Sequence, residues 1–413
     1  MIDMRLAREQ PEAMRRAIAR KGAGELFDEL MALDAAWRHK ISAVDELRSR
    51  TRPKGKPSPE ELEALQLLKE QVRQGESELA KIEEERDELL TRVPNPPFDE
   101  VPDGDSDEDA IEIKRLGEPP AFAFEIRDHV ELGGFDMERG ARLSGSRFAY
   151  RRGNAALLEL AMYRYAIDRL TAEGFELVLP PVLVKEEAMY GTGFLPNEAP
   201  NLYLLEGDQL YLTGTSEVAL AGLHQGEMLE AAELPLRYAG YSTCFRREAG
   251  AAGRDTRGVF RVHQFDKVEM FVFTTPSQSR QEHERLLAIE EDLVQSLGLA
   301  YRVVCTAAGD LGAPAAKKYD IEAWIPSQGR YREITSCSNT TDYQARRLNV
   351  RYRDDERRSQ VVHTLNGTAM TARWLIALME TFQDALGEVA VPEVLQAYGA
   401  PSRLGAGSTA APR

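Results

Sequence analysis

The chain has 413 residues, of which 43% are hydrophobic and 29% charged, and its formal charge is −16. This composition is typical of a globular protein with a full core and excludes a chain that is disordered throughout. Net acidity argues against a nucleic-acid binder unless basic residues are clustered locally. The length predicts more than one compact domain.

The cysteines and the first residues indicate the cellular compartment in which the protein acts. Cys244, Cys305 and Cys337 are widely spaced and form no CxxC pair, which argues against a zinc site and a redox pair. The start, MIDMRLAREQ, has charges and no apolar segment behind it, and no window approaches the roughly 18 apolar residues of a membrane span. We therefore expect a cytoplasmic protein with no zinc and no membrane segment.

Apolar residues recur at coiled-coil spacing in residues 26–50 and again in residues 60–93. Between them, the proline-rich stretch RPKGKPSPEE cannot continue a helix, and Ser58 with Glu61 could form a capping box. The pattern predicts an antiparallel hairpin of two long helices, within an N-terminal arm of residues 1–98.

The predicted tip of this hairpin is basic, with no acidic residue between positions 48 and 56. Such a cluster is compatible with a solvated turn and also with binding to an RNA backbone. The basic residues of the tip are Arg48, Arg50, Arg52, Lys54 and Lys56.

The rest of the chain has a different residue pattern. The segment VPNPPFDEVP contains four prolines, and the acidic stretch at its end, residues 99–111, is predicted to be a linker. Residues 112–398 alternate helical segments with β-rich runs and short polar connections, which predicts an α+β domain with an antiparallel sheet and flanking helices. Residues 399–413 are rich in small residues and are predicted to be a disordered tail.

One segment, CFRREAGAAGRDTRGVFRVHQFDKVEMFVF, carries the most chemical information. It predicts two antiparallel strands around a loop that contains glycine and arginine. Arg246 and Glu248 would share a face of the first strand, and Phe265, Lys267 and Glu269 a face of the second. Arginine can pair with phosphate, an aromatic ring can stack on a base, and a carboxylate can accept from an amino group. The segment is either a nucleotide site or an ordinary hairpin with surface ion pairs.

This segment resembles motif 2 of bacterial-type seryl-tRNA synthetases, which are class II aminoacyl-tRNA synthetases. The hairpin that ends in VPNPP resembles the tRNA-binding arm of that family. Further segments resemble the family in the same chain order: GFELVLPP the end of motif 1, YLTGTSEVAL the serine-binding TxE loop, EITSCSNTTDYQARRLNVRYR the metal and ATP segment, and HTLNGTAMTARWLIALMET motif 3. The resemblance covers residues 1–398 and implies the class II synthetase fold.

The resemblance implies an ATP site. Arg246 would hold the α-phosphate, Glu248 would lie near the adenine amino group, and Phe265 would stack on the ring. Glu333 and Ser336 would coordinate Mg²⁺, which prefers oxygen ligands. The implied catalytic residues are Arg246, Glu248 and Arg373, the last on the γ-phosphate. The implied ATP-binding residues are Arg246, Arg247, Glu248, Val262, Phe265, Glu333, Ile334, Thr335, Ser336 and Arg373.

The resemblance also implies a serine site. Thr215 and Glu217 would receive the serine ammonium, and Glu269 with Thr368 would bond its hydroxyl. Buried polar groups paired to that hydroxyl reject alanine, because alanine would leave them unsatisfied. The implied serine-binding residues are Thr215, Ser216, Glu217, Arg246, Glu269, Asn366 and Thr368.

The implied reaction is attack of the serine carboxylate on the α-phosphorus of ATP, followed by transfer of serine to the 3′ end of tRNA(Ser), with tRNA(Sec) as a further candidate acceptor. The basic tip would bind the tRNA, and motif 1 would build a homodimer. Taken singly, Glu333 could instead be a strand-end ion pair, Asn366 a helix cap and Arg373 a surface helix residue.

The chain departs from the family pattern in its short hairpin tip and in motif 3. There, Asn366 and Arg373 are seven positions apart, one fewer than we expect in many members. The interpretation of the chain as a specialised paralogue of the family therefore stays open. A ligase that loads a carrier protein would be expected to lack the arm, and a regulatory RNA-binding relative would be expected to lose the ATP residues.

Overall fold

The computed structural model describes residues 1–51, 58–250, 255 and 257–405. Its compact units are Met1–Pro97 and Phe98–Arg413. The helices are α1 Met4–Glu9, α2 Pro11–Ala19, α3 Gly24–Arg50, α4 Pro59–Arg92, α5 His129–Leu132, α6 Met137–Ser144, α7 Gly153–Ala172, α8 Glu186–Thr192, α9 Glu217–Ala221, α10 Ser279–Ser296, α11 Tyr343–Leu348, α12 Ala372–Thr381 and α13 Glu393–Gln396. Within the described ranges, none of these helices is both long and apolar enough to cross a bilayer.

The strands found among the described residues lie in the second unit. They are β1 Ile111–Leu116, β2 Phe135–Asp136, β3 Tyr150–Arg151, β4 Glu176–Val178, β5 Leu183–Val184, β6 Tyr203–Leu205, β7 Leu210–Leu212, β8 Met228–Glu230, β9 Leu236–Phe245, β10 Gln264–Thr274, β11 Tyr301–Cys305, β12 Lys317–Ile325, β13 Arg330–Thr341, β14 Arg351–Arg353, β15 Ser359–Val361, β16 His363–Thr371, β17 Val389–Ala390 and β18 Arg403–Leu404.

In the first unit, α3 and α4 form the predicted hairpin and pack side by side. Their contacts run in opposite directions along the chain. The Arg86 guanidinium lies 4.0 Å from the centroid of the Trp37 ring, and closer to the tip Val44 packs against Gly75. A Cβ added to Gly75 would lie 3.0 Å from Val44 Cγ2, so glycine is what lets the helices approach there.

Features of the ends of the hairpin were predicted only in part. The capping box is confirmed, because the Glu61 N–H donates to Ser58 Oγ over 3.2 Å and the Glu61 carboxylate accepts from the Ser58 N–H over 2.6 Å. The short helices α1 and α2 were not predicted. They pack on the hairpin at the end opposite to its tip, in a core that includes Phe27, Leu30 and Leu90.

In the described part of the second unit, eight strands form the main sheet in the order β1-β11-β12-β13-β16-β10-β9-β4. Neighbours are antiparallel except β4 and β9, which are parallel. Helices α7, α10 and α12 pack against the sheet in one large core. This confirms the predicted antiparallel sheet with flanking helices.

Strand β10 lies near the middle of the sheet and is buried on both faces. Val268 and Met270 point into the core with α7, α10 and α12, whereas Phe271 and Phe273 pack with residues of α9 and α11. Because side chains alternate along a strand, Glu269 and the other odd-numbered residues face the same side as these phenylalanines.

The boundaries of the second unit differ from the predicted ones. The stretch predicted as an acidic linker is part of the fold, because Val101 packs with Ala308 and Leu311 and the Phe98 N–H donates to Ala316 O over 2.9 Å. Of the predicted tail, residues 399–405 are ordered, because β18 pairs with β17 and Leu404 is buried. Residues 406–413 lie outside the described residues.

Candidate active site

A cavity of about 320 Å³ lies on the face of the sheet toward which Glu269 points. It draws together segments that are far apart in the chain, from Phe194 just after α8 to the first turn of α12. The predicted site residues that line it are Thr215, Glu217, Arg246, Glu248, Val262, Phe265, Glu269, Glu333, Ile334, Thr335, Ser336, Asn366, Thr368 and Arg373.

Two predicted site residues do not face this cavity. The Ser216 hydroxyl is buried beneath it and shares a 2.7 Å hydrogen bond with the Ser242 hydroxyl. The Arg247 side chain follows Arg246 but points the other way, with its guanidinium carbon 5.5 Å from the centroid of the Tyr203 ring. Neither residue therefore lines the cavity, and the serine-binding role of Ser216 and the ATP-binding role of Arg247 stay predictions.

At one end of the cavity, Glu217 is held by two amides. The Nδ2 of Asn366 donates to Glu217 Oε1 over 3.0 Å, and the Nε2 of Gln344 donates to the same oxygen over 2.7 Å. Burial raises the pKa of Glu217 to about 7, and the nearby carboxylate of Glu269 acts in the same direction. A cation bound next to Glu217 would therefore stabilise its ionised form.

Glu269 lies near Glu217 and is buried, whereas Glu217 is partly buried. Its carboxylate forms an ion pair with the ammonium of Lys267 and lies 3.5 Å from the Thr368 hydroxyl, which belongs to the directly opposite residue on β16. Burial raises the pKa of Glu269, while the charge of Lys267 opposes that rise. Lys267 was placed on this face by strand alternation but was not assigned to the site.

The motif 2 residues sit just beyond the strand that was predicted to carry them. Strand β9 ends at Phe245, so Arg246 and Glu248 lie in the following loop. The Nε of Arg246 donates to Gly214 O over 3.0 Å, and its guanidinium carbon lies 5.4 Å from the centroid of the Phe265 ring. Arg246 is thereby held against an aromatic face.

Glu248 has a backbone φ of 51°, a left-handed conformation that is uncommon outside glycine. Its carboxylate lies 2.5 Å from Nη1 of Arg261. Arg261 also lines the cavity and was not predicted, although it lies in the same motif 2 segment. The pair places a carboxylate and a guanidinium side by side over the cavity.

Glu333 and Arg373 form an ion pair at the other end, with Nη1 of Arg373 3.2 Å from Glu333 Oε2. Burial by itself would raise the pKa of Glu333, but the charges of Lys318, Arg373 and Arg246 outweigh burial and lower it to about 2. Lys318 lines the cavity and was also missed. The one-residue-shorter spacing in motif 3 still lets Asn366 and Arg373 both reach the cavity.

The basic hairpin tip is described only in part. Arg48 pairs with Glu76 over 2.8 Å and with Asp45 over 3.2 Å, and Arg50 is exposed. The predicted tRNA-binding residues that lie outside the described residues are Arg52, Lys54 and Lys56.

Comparisons with known proteins agree with this architecture. Residues 203–382 match the family model of the tRNA synthetase class II core domain (G, H, P, S and T), and residues 1–97 match that of the seryl-tRNA synthetase N-terminal domain. The sheet, the cavity and the matched core define the class: a class II aminoacyl-tRNA synthetase fold.

Individual relatives identify the family within this class. The serine--tRNA ligase of Leifsonia xyli subsp. xyli is 49% identical, over 96% of this chain and 97% of the relative, and that of Thermobifida fusca is 48% identical over the same shares. A crystal structure of seryl-tRNA synthetase from Pyrococcus horikoshii complexed with ATP has a TM-score of 0.93 at 38% identity, over 98% of this chain and 99% of that chain. The chain belongs to the seryl-tRNA synthetase family.

Proposed function

We propose that this chain activates L-serine with ATP and transfers it to tRNA(Ser). The observation that carries the proposal is the division of one cavity into two chemically distinct ends. One end presents the carboxylates of Glu269, which is buried, and Glu217, which is partly buried, and the other presents the cationic side chains of Arg246, Arg261 and Arg373. A substrate ammonium and a triphosphate suit these two ends.

At the serine end, Glu217 and Thr215 receive the ammonium, and Asn366 orients Glu217. Glu269 and Thr368 take the hydroxyl, with Lys267 holding the Glu269 carboxylate in place. Support for these roles comes from the burial of Glu269, the partial burial of Glu217 and the position of both carboxylates on the cavity wall. An apolar side chain in place of the serine hydroxyl would leave the Glu269 group unsatisfied.

At the ATP end, Arg246 neutralises charge at the α-phosphorus while the serine carboxylate attacks. Phe265 offers a ring face for the adenine, and Glu248 accepts from the adenine amino group. Arg373 and Arg261 take the outer phosphates, exchanging their ion pairs with glutamates for phosphate oxygens. Such catalysis rests on positioning and charge neutralisation, so it needs no general base.

Glu333 and Ser336 would hold Mg²⁺. They fit a hard cation because both offer oxygen ligands to the cavity and because the low pKa of Glu333 keeps its carboxylate ionised. When bound, the ion supplies further neutralisation of the phosphate oxygens.

The helical hairpin binds the tRNA through its basic tip. Support comes from the match of residues 1–97 to the seryl-tRNA synthetase N-terminal domain and from the run of basic residues between positions 48 and 56. Retention of this arm separates the chain from a ligase that loads a carrier protein. The buried thiols of Cys244, Cys305 and Cys337 carry no disulfide and suit action in the cytoplasm, where charged tRNA is used.

The active form is a homodimer built on the motif 1 region. Leu143, Tyr150 and Leu160 are exposed and line a common hollow of about 370 Å³. Leu157 is exposed one turn away on α7, and Leu179 is exposed in the segment that resembles motif 1. Exposed apolar side chains gathered in this way are typical of an interface.

The test is a pair of assays on the purified chain: serine-dependent exchange of label between pyrophosphate and ATP, and acid-precipitable serine on total tRNA. We expect both activities. Exchange without charging, with cognate tRNA shown to be present, would favour a carrier-protein ligase. Absence of both activities in folded protein would refute the proposal.

A further inference from the structure

A buried glutamine stands directly behind the proposed ammonium site. Gln344 lies on α11 and is fully buried. Its Nε2 donates to Glu217 Oε1 over 2.7 Å and to the backbone oxygen of Thr192 over 3.2 Å. Its Oε1 accepts from the Thr364 hydroxyl over 2.9 Å and from the Thr340 hydroxyl over 3.3 Å.

These neighbours allow only one orientation of the amide. The backbone oxygen of Thr192 can only accept a hydrogen bond, so the face of the amide toward it must carry the NH₂ group. The second hydrogen of that NH₂ then points at Glu217, which is also an acceptor when ionised. A flipped amide would set its oxygen against both acceptors at once. Gln344 is therefore an oriented donor rather than a filler of the core.

We propose that Gln344 is a positioning residue of the serine site, which fixes the Glu217 carboxylate toward the substrate ammonium. This inference rests on the proposed role of Glu217. Gln344 acts through Glu217, because it lies behind that carboxylate and not among the residues described as lining the cavity. Asn366 donates to the same carboxylate oxygen from β16, so two amides leave the other oxygen of Glu217 for the ligand.

Removing this donor also has a definite electrostatic consequence. Burial and the Glu269 carboxylate on β10 favour the protonated form of Glu217, whereas the Gln344 hydrogen bond, Lys267 on β10 and Arg246 after β9 favour the ionised form. Loss of Gln344 alone therefore raises the pKa of Glu217 further. Serine capture, which needs the carboxylate, then requires a higher pH.

The test is Gln344→Met, which keeps an unbranched side chain of similar length and removes both donors. We expect the KM for serine in pyrophosphate exchange to rise about tenfold or more, the usual effect of losing a hydrogen bond to a charged group. The KM for ATP should stay within about twofold. The acid limb of kcat/KM for serine, which reports the free enzyme, should move to higher pH.

A matched control is Gln383→Met, since Gln383 is another buried glutamine whose Nε2 donates two hydrogen bonds. Its Nε2 donates to Arg127 O over 2.9 Å and to Glu380 O over 3.0 Å, and its Oε1 accepts from the Arg127 N–H over 2.8 Å. It should lose comparable thermal stability with no change in the KM for serine. If Gln344→Met does not fold, Thr364→Val removes a donor to the Gln344 oxygen and should shift the acid limb in the same direction by less.

The outcomes separate the two proposals. An unchanged KM for serine and an unmoved acid limb in Gln344→Met, in an enzyme that does exchange pyrophosphate, would overturn the role of Gln344 alone. Equal increases in KM for serine and ATP would overturn it as well, because they indicate a general distortion. A wild-type chain without serine-dependent exchange would overturn the proposed function itself.

Discussion

Replacing Glu217 by glutamine should stabilise the protein above neutral pH while it removes serine activation. Glu217 accepts from both Gln344 and Asn366 through one oxygen, and the oxygen of an amide can accept both bonds equally well. Glu217→Gln therefore keeps the shape and the hydrogen bonds of the site and removes the charge. The substrate ammonium loses the partner that would hold it.

The size of the effect follows from the pKa of Glu217. Burial, with the carboxylate of Glu269, raises it from 4.5 to about 7. Each pKa unit corresponds to about 1.4 kcal/mol. Ionisation of Glu217 in the folded protein therefore lowers the free energy of unfolding by about 3 kcal/mol. The pKa of Glu217 is higher in the folded protein than in the unfolded chain, so the protonated carboxyl favours folding. This contribution to the free energy of unfolding is fully present below pH 4.5 and is lost as the pH rises through 7.

We expect Glu217→Gln to exceed the wild type by about 3 kcal/mol in urea unfolding at pH 8, and by less than about 1 kcal/mol at pH 5. Serine-dependent pyrophosphate exchange should be lost at both pH values. The control is Glu206→Gln, at an exposed glutamate, which should change neither measurement. A stability difference that is the same at pH 5 and pH 8 would refute the electrostatic argument, and a normal KM for serine would refute the ammonium site.

Three further variants test separate parts of the proposal. Glu269→Ala should abolish serine-dependent exchange while ATP binding, measured by calorimetry, persists; an unchanged KM for serine would reject its role in hydroxyl recognition. The double variant Lys54→Glu and Lys56→Glu should weaken tRNA charging but leave exchange intact, and equal losses in both assays would contradict a role confined to tRNA. Asp34→Ala removes a buried carboxylate that accepts from Arg8 over 2.6 Å, and should lower the free energy of urea unfolding by about 1–3 kcal/mol. Exchange should survive in that variant, because the candidate active site lies wholly in the other unit.

The sequence predicts best where one physical rule acts over a long segment. The hairpin follows from an apolar stripe sustained through two helices, and its second helix begins at Pro59 because the capping box of Ser58 and that proline coincide there. Alternation along β10 correctly puts Phe265, Lys267 and Glu269 on one wall, because the strand is regular over eleven residues. In each case, neighbours in the chain carry the signal.

The sequence predicts worst where a contact joins distant segments or where a strand ends early. The left-handed φ of Glu248 breaks the alternation that had placed it in a strand. Gln344 meets Glu217 across 127 positions, and nothing in its own helix indicates that it donates to a cavity residue. Lys318 is one member of an alternating strand, β12, and its effect on the charge of Glu333 on the neighbouring strand β13 appears only in the folded structure.

The two ends of the cavity differ in how their charges are balanced without substrate. At the ATP end, Glu333 pairs with Arg373 and the charge of Lys318 also favours its ionised form, so a triphosphate must displace the glutamates from their arginines before it binds. At the serine end, the bonds to Glu217 come from neutral amides, and burial disfavours its charge. A cation that enters there gains a partner without breaking an ion pair of Glu217. The ammonium of the amino acid is thus the charge that completes this end, and an uncharged analogue of serine has no comparable gain to make.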